Sequence, residues 1–311
     1  MNIKNNNIAA GIDIGSNSVR LLIALVEDNK IKEIIYQEKA TTRLASNISS
    51  TGELDQTPYN KTINVLMNFK KQIDKYKVSN VFAVATSAIR EAKNGVDFIN
   101  DAKSIGINIS IISGLEEGEL EYLGVNAGLP NMEKPLIVDV GGGSTEVIYL
   151  DDNNEIIAES FKIGVVKLAD QFDFVNTTTE SIEPCINFIS NIFKDLYIPN
   201  NIKNFIVTAG TATTIAAISQ KMTDYDWTKI NGFVISVKEF EELLLKIANT
   251  PFNDRINIPG MDAGREDLII PGSLVILEIL KKANCEKIIV SDFGLREGAV
   301  VKAIQNNSSN K

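Results

Sequence analysis

The same polar pattern occurs twice in the chain. Residues 11–24 read GIDIGSNSVRLLIA and residues 137–150 read IVDVGGGSTEVIYL, so both contain Asp-x-Gly-x-x-Ser. The matched residues are Asp13 with Asp139, Gly15 with Gly141, and Ser18 with Ser144. In each copy, apolar and β-branched residues on both sides of a Gly/Ser turn predict two strands joined by that turn. The repeat therefore predicts two domains that begin with the same hairpin.

The glycine turns are candidate anion sites. In DVGGGST at 139–145, glycine allows the backbone angles and the close approach by which N–H groups can bind a phosphate. A dinucleotide fingerprint and a Walker loop are excluded, because the residues after Thr145 continue as a strand instead of opening a helix. An ordinary glycine-rich hairpin is the alternative, and the second matching copy argues against it. The stretch TAGT at 208–211 is a further anion site or a plain helix N-cap.

Two adjacent glutamates stand at the start of a predicted helix. Ser113 and Glu116 have the spacing of a capping box, which accounts for Glu116. Glu117 lies about 100° further round the helix and is not needed for the cap. Since the chain has no histidine, Glu117 is the best candidate for orienting or deprotonating an attacking water.

Arginine is rare in this chain, with 6 residues against 25 lysines. A guanidinium matches phosphate and carboxylate geometry in a way that a lysine ammonium does not. Five arginines fall in motif-like segments, and Arg255 does not. The five are Arg20, Arg43, Arg90, Arg265 and Arg296. Salt bridges between domains explain Arg43 and Arg296 equally well.

Composition excludes several classes of protein. The 311 residues are 44% hydrophobic and 23% charged, as in a globular protein. The absence of histidine removes Ser-His-Asp and Cys-His catalysis and His-ligated zinc. A net charge of -9 argues against nucleic acid and anionic membranes as partners. No apolar run approaches the ~18 residues of a membrane span. Cys185 and Cys285 lack metal-site spacing and are interpreted as reduced core thiols of a cytoplasmic protein.

Strands alternate with helical patterns in both halves, which predicts an α/β protein. Residues 87–104 predict one helix after a strand at 81–85. A Gly/Pro/Asn break, AGLPNMEK at 127–134, precedes the second hairpin. The expected domains are therefore 1–126 and 127–311.

Together with the two hairpins, three further motifs carry a family resemblance: TSAIREAKN at 86–94, ISGLEEGE at 112–119 and SDFGLREG at 291–298. The chain resembles the exopolyphosphatase and guanosine pentaphosphate phosphohydrolase (Ppx/GppA) family in its short, two-domain form. The resemblance implies two ribonuclease H-like domains of the actin-like superfold, with an interdomain cleft. It also implies a homodimer as one option.

The resemblance implies roles for individual residues. Glu117 matches the catalytic glutamate, and Asp139 and Glu146 match carboxylates associated with Mg2+ or, alternatively, Mn2+. The positions that match phosphate-binding residues are Asn17, Ser18, Arg20, Arg90, Asn94, Gly141, Gly142, Gly143, Ser144, Thr145, Gly210, Thr211 and Arg265. Two segments depart from the family pattern: the loop PGMDAGRED at 259–267 lacks the second proline, and Lys167 stands where an arginine is expected.

The expected function is release of terminal orthophosphate from inorganic polyphosphate by a Mg2+-dependent attack of water, assisted by Glu117, in the cleft. Removal of the 5'-terminal phosphate of guanosine pentaphosphate remains open, because both activities occur in the family. Phosphotransfer to ADP could coexist with the first activity. An alternative of another class is a catalytically silent sensor of polyphosphate or nucleotide. Three carboxylates argue against it, because a protein that only binds does not need them: Glu117, Asp139 and Glu146.

Overall fold

The structure is a computed structural model that describes residues 7–130, 132–177 and 181–309. The strands are β1 (Ile8–Ile14), β2 (Ser18–Glu27), β3 (Lys30–Thr41), β4 (Asn80–Ala85), β5 (Ile109–Ile111), β6 (Pro135–Val140), β7 (Thr145–Leu150), β8 (Ile156–Phe161), β9 (Asn204–Thr208), β10 (Phe233–Ser236) and β11 (Lys287–Val290). The helices are α1 (Ile48–Thr51), α2 (Gln56–Lys75), α3 (Ser87–Glu91), α4 (Gly95–Ser104), α5 (Gly114–Gly128), α6 (Val165–Gln171), α7 (Glu183–Ile192), α8 (Ala209–Ser219), α9 (Trp227–Ile230), α10 (Val237–Ala248), α11 (Phe252–Arg255), α12 (Ile269–Ala283) and α13 (Leu295–Ser309). None of the described helices is long and apolar enough to cross a membrane.

The chain divides into two compact units. The first contains Met1–Pro130 and Phe293–Lys311, and the second contains Asn131–Asp292. This differs from the expected domains 1–126 and 127–311 at the C-terminal end. Helix α5 also continues through Gly128, so it enters the segment 127–134 that was expected to be the boundary. Residue 131 of this segment lies outside the described residues.

Helix α13 belongs to the first unit because its apolar face completes that unit's core. Val300 and Val301 are fully buried in one cluster with Ala9 and Leu22 from the first hairpin. Gly11 allows the close approach, since a Cβ atom there would lie 2.5 Å from the carbonyl oxygen of Arg296. Burial of this apolar surface, and not position along the chain, decides where α13 packs.

The first unit is built on a mixed sheet with the strand order β3-β2-β1-β4-β5. Strands β1, β2 and β3 form an antiparallel meander, whereas β4 and β5 run parallel to β1. Beyond Ile8, every residue of β1 is buried, as expected for a central strand covered on both faces.

The second unit repeats this arrangement. Its sheet has the order β8-β7-β6-β9-β11-β10, so it adds only β10 at the edge. Strand β6 pairs antiparallel with β7 and parallel with β9, as β1 does with β2 and β4. The α/β class and the two repeated hairpins predicted from the sequence are confirmed.

The two hairpin turns also match in their backbone hydrogen bonds. The Gly15 N–H donates to the Ser18 carbonyl at 3.1 Å, and the Gly141 N–H donates to the Ser144 carbonyl at 3.0 Å. The repeated Gly-x-x-Ser spacing therefore forms the same closed turn in both units.

Candidate active site

Helix α5 presents Glu117 at its first turn. Its N-cap is Ser113, whose hydroxyl accepts a hydrogen bond from the Glu116 N–H, while the Glu116 carboxylate accepts one from the Ser113 N–H at 2.7 Å. The predicted capping box is confirmed. Hydrogen bonds from Ser113 hold the pKa of Glu116 below its usual range. Glu117 is not part of the box and is buried, with 6% of its surface exposed.

Arg90, on the short helix α3, lies beside Glu117. Its Nη1 is 3.3 Å from the Glu117 carboxylate and donates a 2.6 Å hydrogen bond to the Ile112 carbonyl. Among the described residues, the other two guanidinium nitrogens of Arg90 have no hydrogen-bond partner. The arrangement holds a carboxylate and a cation together and leaves one edge of the guanidinium for an anion.

Asn94 lies between α3 and α4 and has a structural partner. Its side-chain oxygen accepts from the Leu54 N–H at 2.8 Å, and its side-chain nitrogen donates to the Leu54 carbonyl at 3.0 Å. The single helix predicted at 87–104 is wrong, because the chain breaks here into two helices and Asn94 bonds the break to the loop before α2. These bonds support a positioning role for Asn94, whereas its predicted contact with phosphate stays a prediction.

The first hairpin brings Asn17, Ser18 and Arg20 together at its turn and the start of β2. Asn17 and Ser18 are buried, and Arg20 is the direct cross-strand partner of Asp13. The Asn17 carbonyl accepts from the Thr42 N–H at 3.0 Å, which bonds the turn to the chain after β3. The side-chain oxygen of Asn17 has no hydrogen-bond partner among the described residues.

Ser16 and Ser87 connect the first hairpin to α3. Their hydroxyl oxygens lie 3.1 Å apart, and both side chains are buried. No local sequence pattern predicts this contact, because the two residues are 71 positions apart.

The second hairpin places two carboxylates opposite each other. Asp139 on β6 pairs in register with Glu146 on β7, and their exposed fractions are 8% and 1%. Glu146 is also in register with Ser160 on β8, whose hydroxyl donates a 2.7 Å hydrogen bond to Glu146 Oε1. Ser160 was not predicted, because only the pairing of β7 with β8 brings it next to Glu146.

The turn between β6 and β7 packs tightly on the start of α6. The N–H groups of Val165 and Val166 donate to the carbonyls of Gly141 and Gly142 at 3.0 and 2.9 Å. A Cβ atom at Gly164 would lie 2.5 Å from the Gly142 carbonyl oxygen and 2.6 Å from the Gly143 nitrogen. The turn glycines are thus held by backbone contacts.

The two hydroxyl residues that follow the turn differ in their contacts. The Thr145 hydroxyl donates to the Ile163 carbonyl at 2.7 Å, which occupies it inside the protein. Ser144 is buried and supplies the carbonyl that closes the turn. Thr145 therefore holds the turn in place, and its predicted phosphate contact stays a prediction.

The start of α8 forms the remaining part of the predicted site in the second unit. A Cβ atom at Gly210 would lie 1.5 Å from Nη2 of Arg265, so the guanidinium packs directly on the Gly210 backbone. Arg265 is buried, and its Nε lies 3.3 Å from Asp262 Oδ2. Thr211 is fully buried, and its hydroxyl has no hydrogen-bond partner among the described residues. The structure brings Arg265 into contact with Gly210, the neighbour of Thr211, and the phosphate contacts expected of the three residues stay predictions.

Asp139 and Glu146 are a pair rather than a full metal cage. Among the described residues, no group of three or more acidic, cysteine or histidine side chains could hold a metal ion. Two buried carboxylates on one hairpin do fit Mg2+, which usually takes one or two protein carboxylates and keeps the rest of its ligands as water and substrate phosphate. Neither cysteine belongs to a metal-ligating group among the described residues. Cys185 is buried, as expected of a core thiol, whereas Cys285 is only half-buried.

The family model of the Ppx/GppA phosphatase family matches residues 22–307. The chain belongs to this family. Membership confirms the expected enzyme class, a hydrolase acting on phosphoric anhydrides. This Ppx/GppA protein is 28% identical to a putative exopolyphosphatase of Haemophilus influenzae, over 96% of this chain and 91% of the relative. It is 27% identical to exopolyphosphatase 2 of Mycobacterium tuberculosis, over 93% of this chain and 96% of the relative.

Another relative is longer. The bifunctional 3-dehydroquinate synthase/phosphatase of Fusobacterium nucleatum is 32% identical over 97% of this chain, and the chain spans 47% of that protein. Among solved structures, the Ppx/GppA family member of Aquifex aeolicus is 32% identical, with a TM-score of 0.83 over 96% of this chain and 98% of the other. The predicted pair of actin-like domains is confirmed as the fold of this family member.

Proposed function

We propose that this Ppx/GppA phosphatase is an exopolyphosphatase that releases orthophosphate from the end of inorganic polyphosphate. The observation that carries the proposal is the buried carboxylate of Glu117 next to the half-exposed guanidinium of Arg90. The relatives in Haemophilus influenzae and Mycobacterium tuberculosis, which are named exopolyphosphatases and match nearly the whole chain, support the choice of substrate.

Glu117 would act on the attacking water. A carboxylate within hydrogen-bond reach of a water can orient it and accept its proton as the oxygen attacks phosphorus. The oxygen–phosphorus bond forms while the bond to the bridging oxygen breaks, and the shortened chain leaves. The Ser113–Glu116 capping box supports this role, because it fixes the first turn of α5 without engaging Glu117.

The remaining groups would bind and stabilise phosphate. Transfer of a phosphoryl group needs little besides positioning and charge stabilisation, so a site without histidine is adequate. In the first unit the candidates are the free edge of Arg90 and the residues of the first hairpin. In the second unit they are the turn amides at 141–144 and the start of α8 with Arg265, where N–H groups and a guanidinium favour an anion.

Asp139 and Glu146 would hold Mg2+ or Mn2+. When bound, such an ion neutralises charge that develops on the phosphate oxygens. The protein carries a net charge of -9, which repels a polyanion at long range. We therefore expect substrate binding to depend on both salt and Mg2+. Free cysteines fit a cytoplasmic location, where thiols stay reduced.

The test is phosphate release by the purified protein with Mg2+, comparing long-chain polyphosphate, tripolyphosphate and guanosine pentaphosphate, with Glu117→Gln as the control. We expect the highest kcat/KM on polyphosphate and no release by the variant. A preference for guanosine pentaphosphate would assign the alternative activity that the family resemblance leaves open. Binding of polyphosphate without release from any of the three substrates would support a sensor instead.

A further inference from the structure

Among the described residues of the second unit, Arg255 is the most deeply buried charged side chain, and it lies outside every predicted motif. None of its surface is exposed, and it is the largest fully buried side chain among the described residues. Its Nε donates to the Thr250 carbonyl at 3.1 Å. Its Nη1 donates to the carbonyls of Phe174 at 2.6 Å and Glu266 at 2.9 Å. One guanidinium thus connects three separate segments of the chain.

A buried cation in this position needs an explanation beyond stability. Removing a guanidinium from water is costly, and an apolar residue of similar volume is often as stable or more so. Burial lowers the pKa of Arg255, with Asp267 acting in the opposite direction. The hydrogen bonds of Arg255 within the described residues all go to backbone carbonyls. Such bonds fix main-chain segments in place rather than balance a charge.

One of these segments is the loop at 256–268, which runs along helix α8. Gly260 has a positive φ of 95°, and a Cβ atom there would lie 2.4 Å from the backbone of Ala217, near the end of α8. Arg265 packs on Gly210 at the start of the same helix. The loop therefore packs on α8 at two points, Gly260 and Arg265. Of these two residues, Arg265 belongs to the candidate phosphate site.

Arg255 contacts both ends of this loop, the start through its main chain and the end through its side chain. Its own carbonyl accepts from the Ile258 N–H at 3.0 Å at the start, and its guanidinium binds the carbonyl of Glu266, the residue after Arg265, at the end. The Arg265 carbonyl in turn accepts hydrogen bonds from the N–H groups of Leu268 and Ile269, where α12 begins. A displacement of Glu266 would therefore move Arg265.

We propose that Arg255 is a positioning residue that holds the guanidinium of Arg265 over Gly210. It acts through the loop backbone and has no contact with substrate. Its effect on phosphate binding rests on the proposed function, but its effect on the loop does not. Arg255→Lys is the informative variant, because a lysine keeps the charge and cannot donate to three carbonyls in the fixed geometry of a guanidinium.

Two measurements test the proposal. Hydrogen exchange should show faster exchange at 256–269 in Arg255→Lys, with the rest of the second unit unchanged. In steady-state kinetics, Arg255→Lys should raise KM for polyphosphate roughly tenfold while kcat stays within about threefold. In an Arg265→Ala background, the same substitution should change KM by less than about twofold, because the residue through which it acts is gone.

The control is Ile189→Val, a substitution in the core of the second unit at a fully buried position of α7. It should lower the melting temperature without changing KM or exchange at 256–269. Unchanged exchange in Arg255→Lys would overturn the proposal whether or not polyphosphate is the substrate. An equal rise in KM in both backgrounds would also overturn it. If polyphosphate is neither bound nor cleaved by the wild type, the proposed function fails, and hydrogen exchange alone decides the role of Arg255.

Discussion

Asp139 stands directly opposite Glu146 on the second hairpin, and both carboxylates are buried. The equivalent pair of the first hairpin is Asp13 and Arg20. Directly opposed residues have Cβ atoms about 4.5–5.5 Å apart, where like charges destabilise the pairing and opposite charges stabilise it. The two hairpins share a backbone but differ in charge at this pair, and for this reason the proposed divalent cation is assigned to the second hairpin.

Replacing Asp139 tests this assignment. Asp139→Asn removes one carboxylate and its repulsion with Glu146, so we expect the Mg2+ concentration for half-maximal activity to rise at least about tenfold. The melting temperature of Asp139→Asn in EDTA should not fall below that of the wild type, because the repulsion between the two carboxylates has been removed. Activity measured against Mg2+ and thermal melts check the two expectations. An unchanged metal profile would show that the carboxylate is structural.

Ser160 should matter for metal binding although it carries no charge. Its hydroxyl bonds Glu146 Oε1 at 2.7 Å and orients that carboxylate. Loss of a hydrogen bond to a metal-binding carboxylate typically weakens binding about 10–100-fold. We therefore expect Ser160→Ala to weaken Mn2+ binding at least about tenfold, measured by electron paramagnetic resonance without substrate. Ser160→Thr keeps the hydroxyl and should bind Mn2+ as the wild type does; equal affinities of all three proteins would refute the role.

Glu117→Gln should abolish turnover while leaving the fold intact, because the amide cannot accept the proton of water. We expect kcat to fall more than about 100-fold, within the range of losses of a general base. The matched control is Glu119→Gln, an exposed position on the same helix, which should retain wild-type kcat. Equilibrium binding of polyphosphate confirms that the variant still binds substrate. Turnover within about tenfold of wild type would mean that another group acts on the water.

Replacing Gly210 tests its contact with Arg265. In Gly210→Ala the new Cβ would overlap the Arg265 guanidinium, which is the far end of a flexible side chain and can move aside. We therefore expect a higher KM and a change of less than about 1 kcal/mol in the free energy of unfolding. The neighbour Ala209 has a positive φ of 65°, which favours glycine. Ala209→Gly should therefore change stability by less than about 1 kcal/mol. Steady-state kinetics of both variants make the comparison: Ala209→Gly should retain the wild-type KM, and an unchanged KM in Gly210→Ala would refute the contact with Arg265.

Glu116 should contribute stability in a pH-dependent way. Its folded pKa is lowered by the hydrogen bonds from Ser113, so the contribution is present above the unfolded pKa and is lost as pH falls through the folded pKa. Glutamine keeps the hydrogen bond of the capping box and loses only the charge of an exposed side chain, so Glu116→Gln should lower the free energy of unfolding by about 0.3–1 kcal/mol at pH 7. The difference should shrink at a pH below the folded pKa of Glu116. Urea denaturation at both pH values measures it, and a difference independent of pH would exclude the charge as its cause.

Local patterns predicted the parts of this protein that depend on neighbouring residues. The two Gly-x-x-Ser turns close through hydrogen bonds between residues three apart, and the capping box of Ser113 and Glu116 has the same span. Side-chain types and backbone geometry within such a short segment are sufficient to determine these structures. The fold, the enzyme class and the roles of the candidate residues were predicted from the family resemblance.

Tertiary structure decided what depends on distant residues. It placed Ser160 on Glu146 through the pairing of two strands, and it joined α13 to the first unit through a shared apolar core. It also made Arg255 a connector of segments as far as 81 residues apart. Burial of apolar surface and satisfaction of buried polar groups act on the folded chain as a whole, so no short stretch of sequence encodes these contacts.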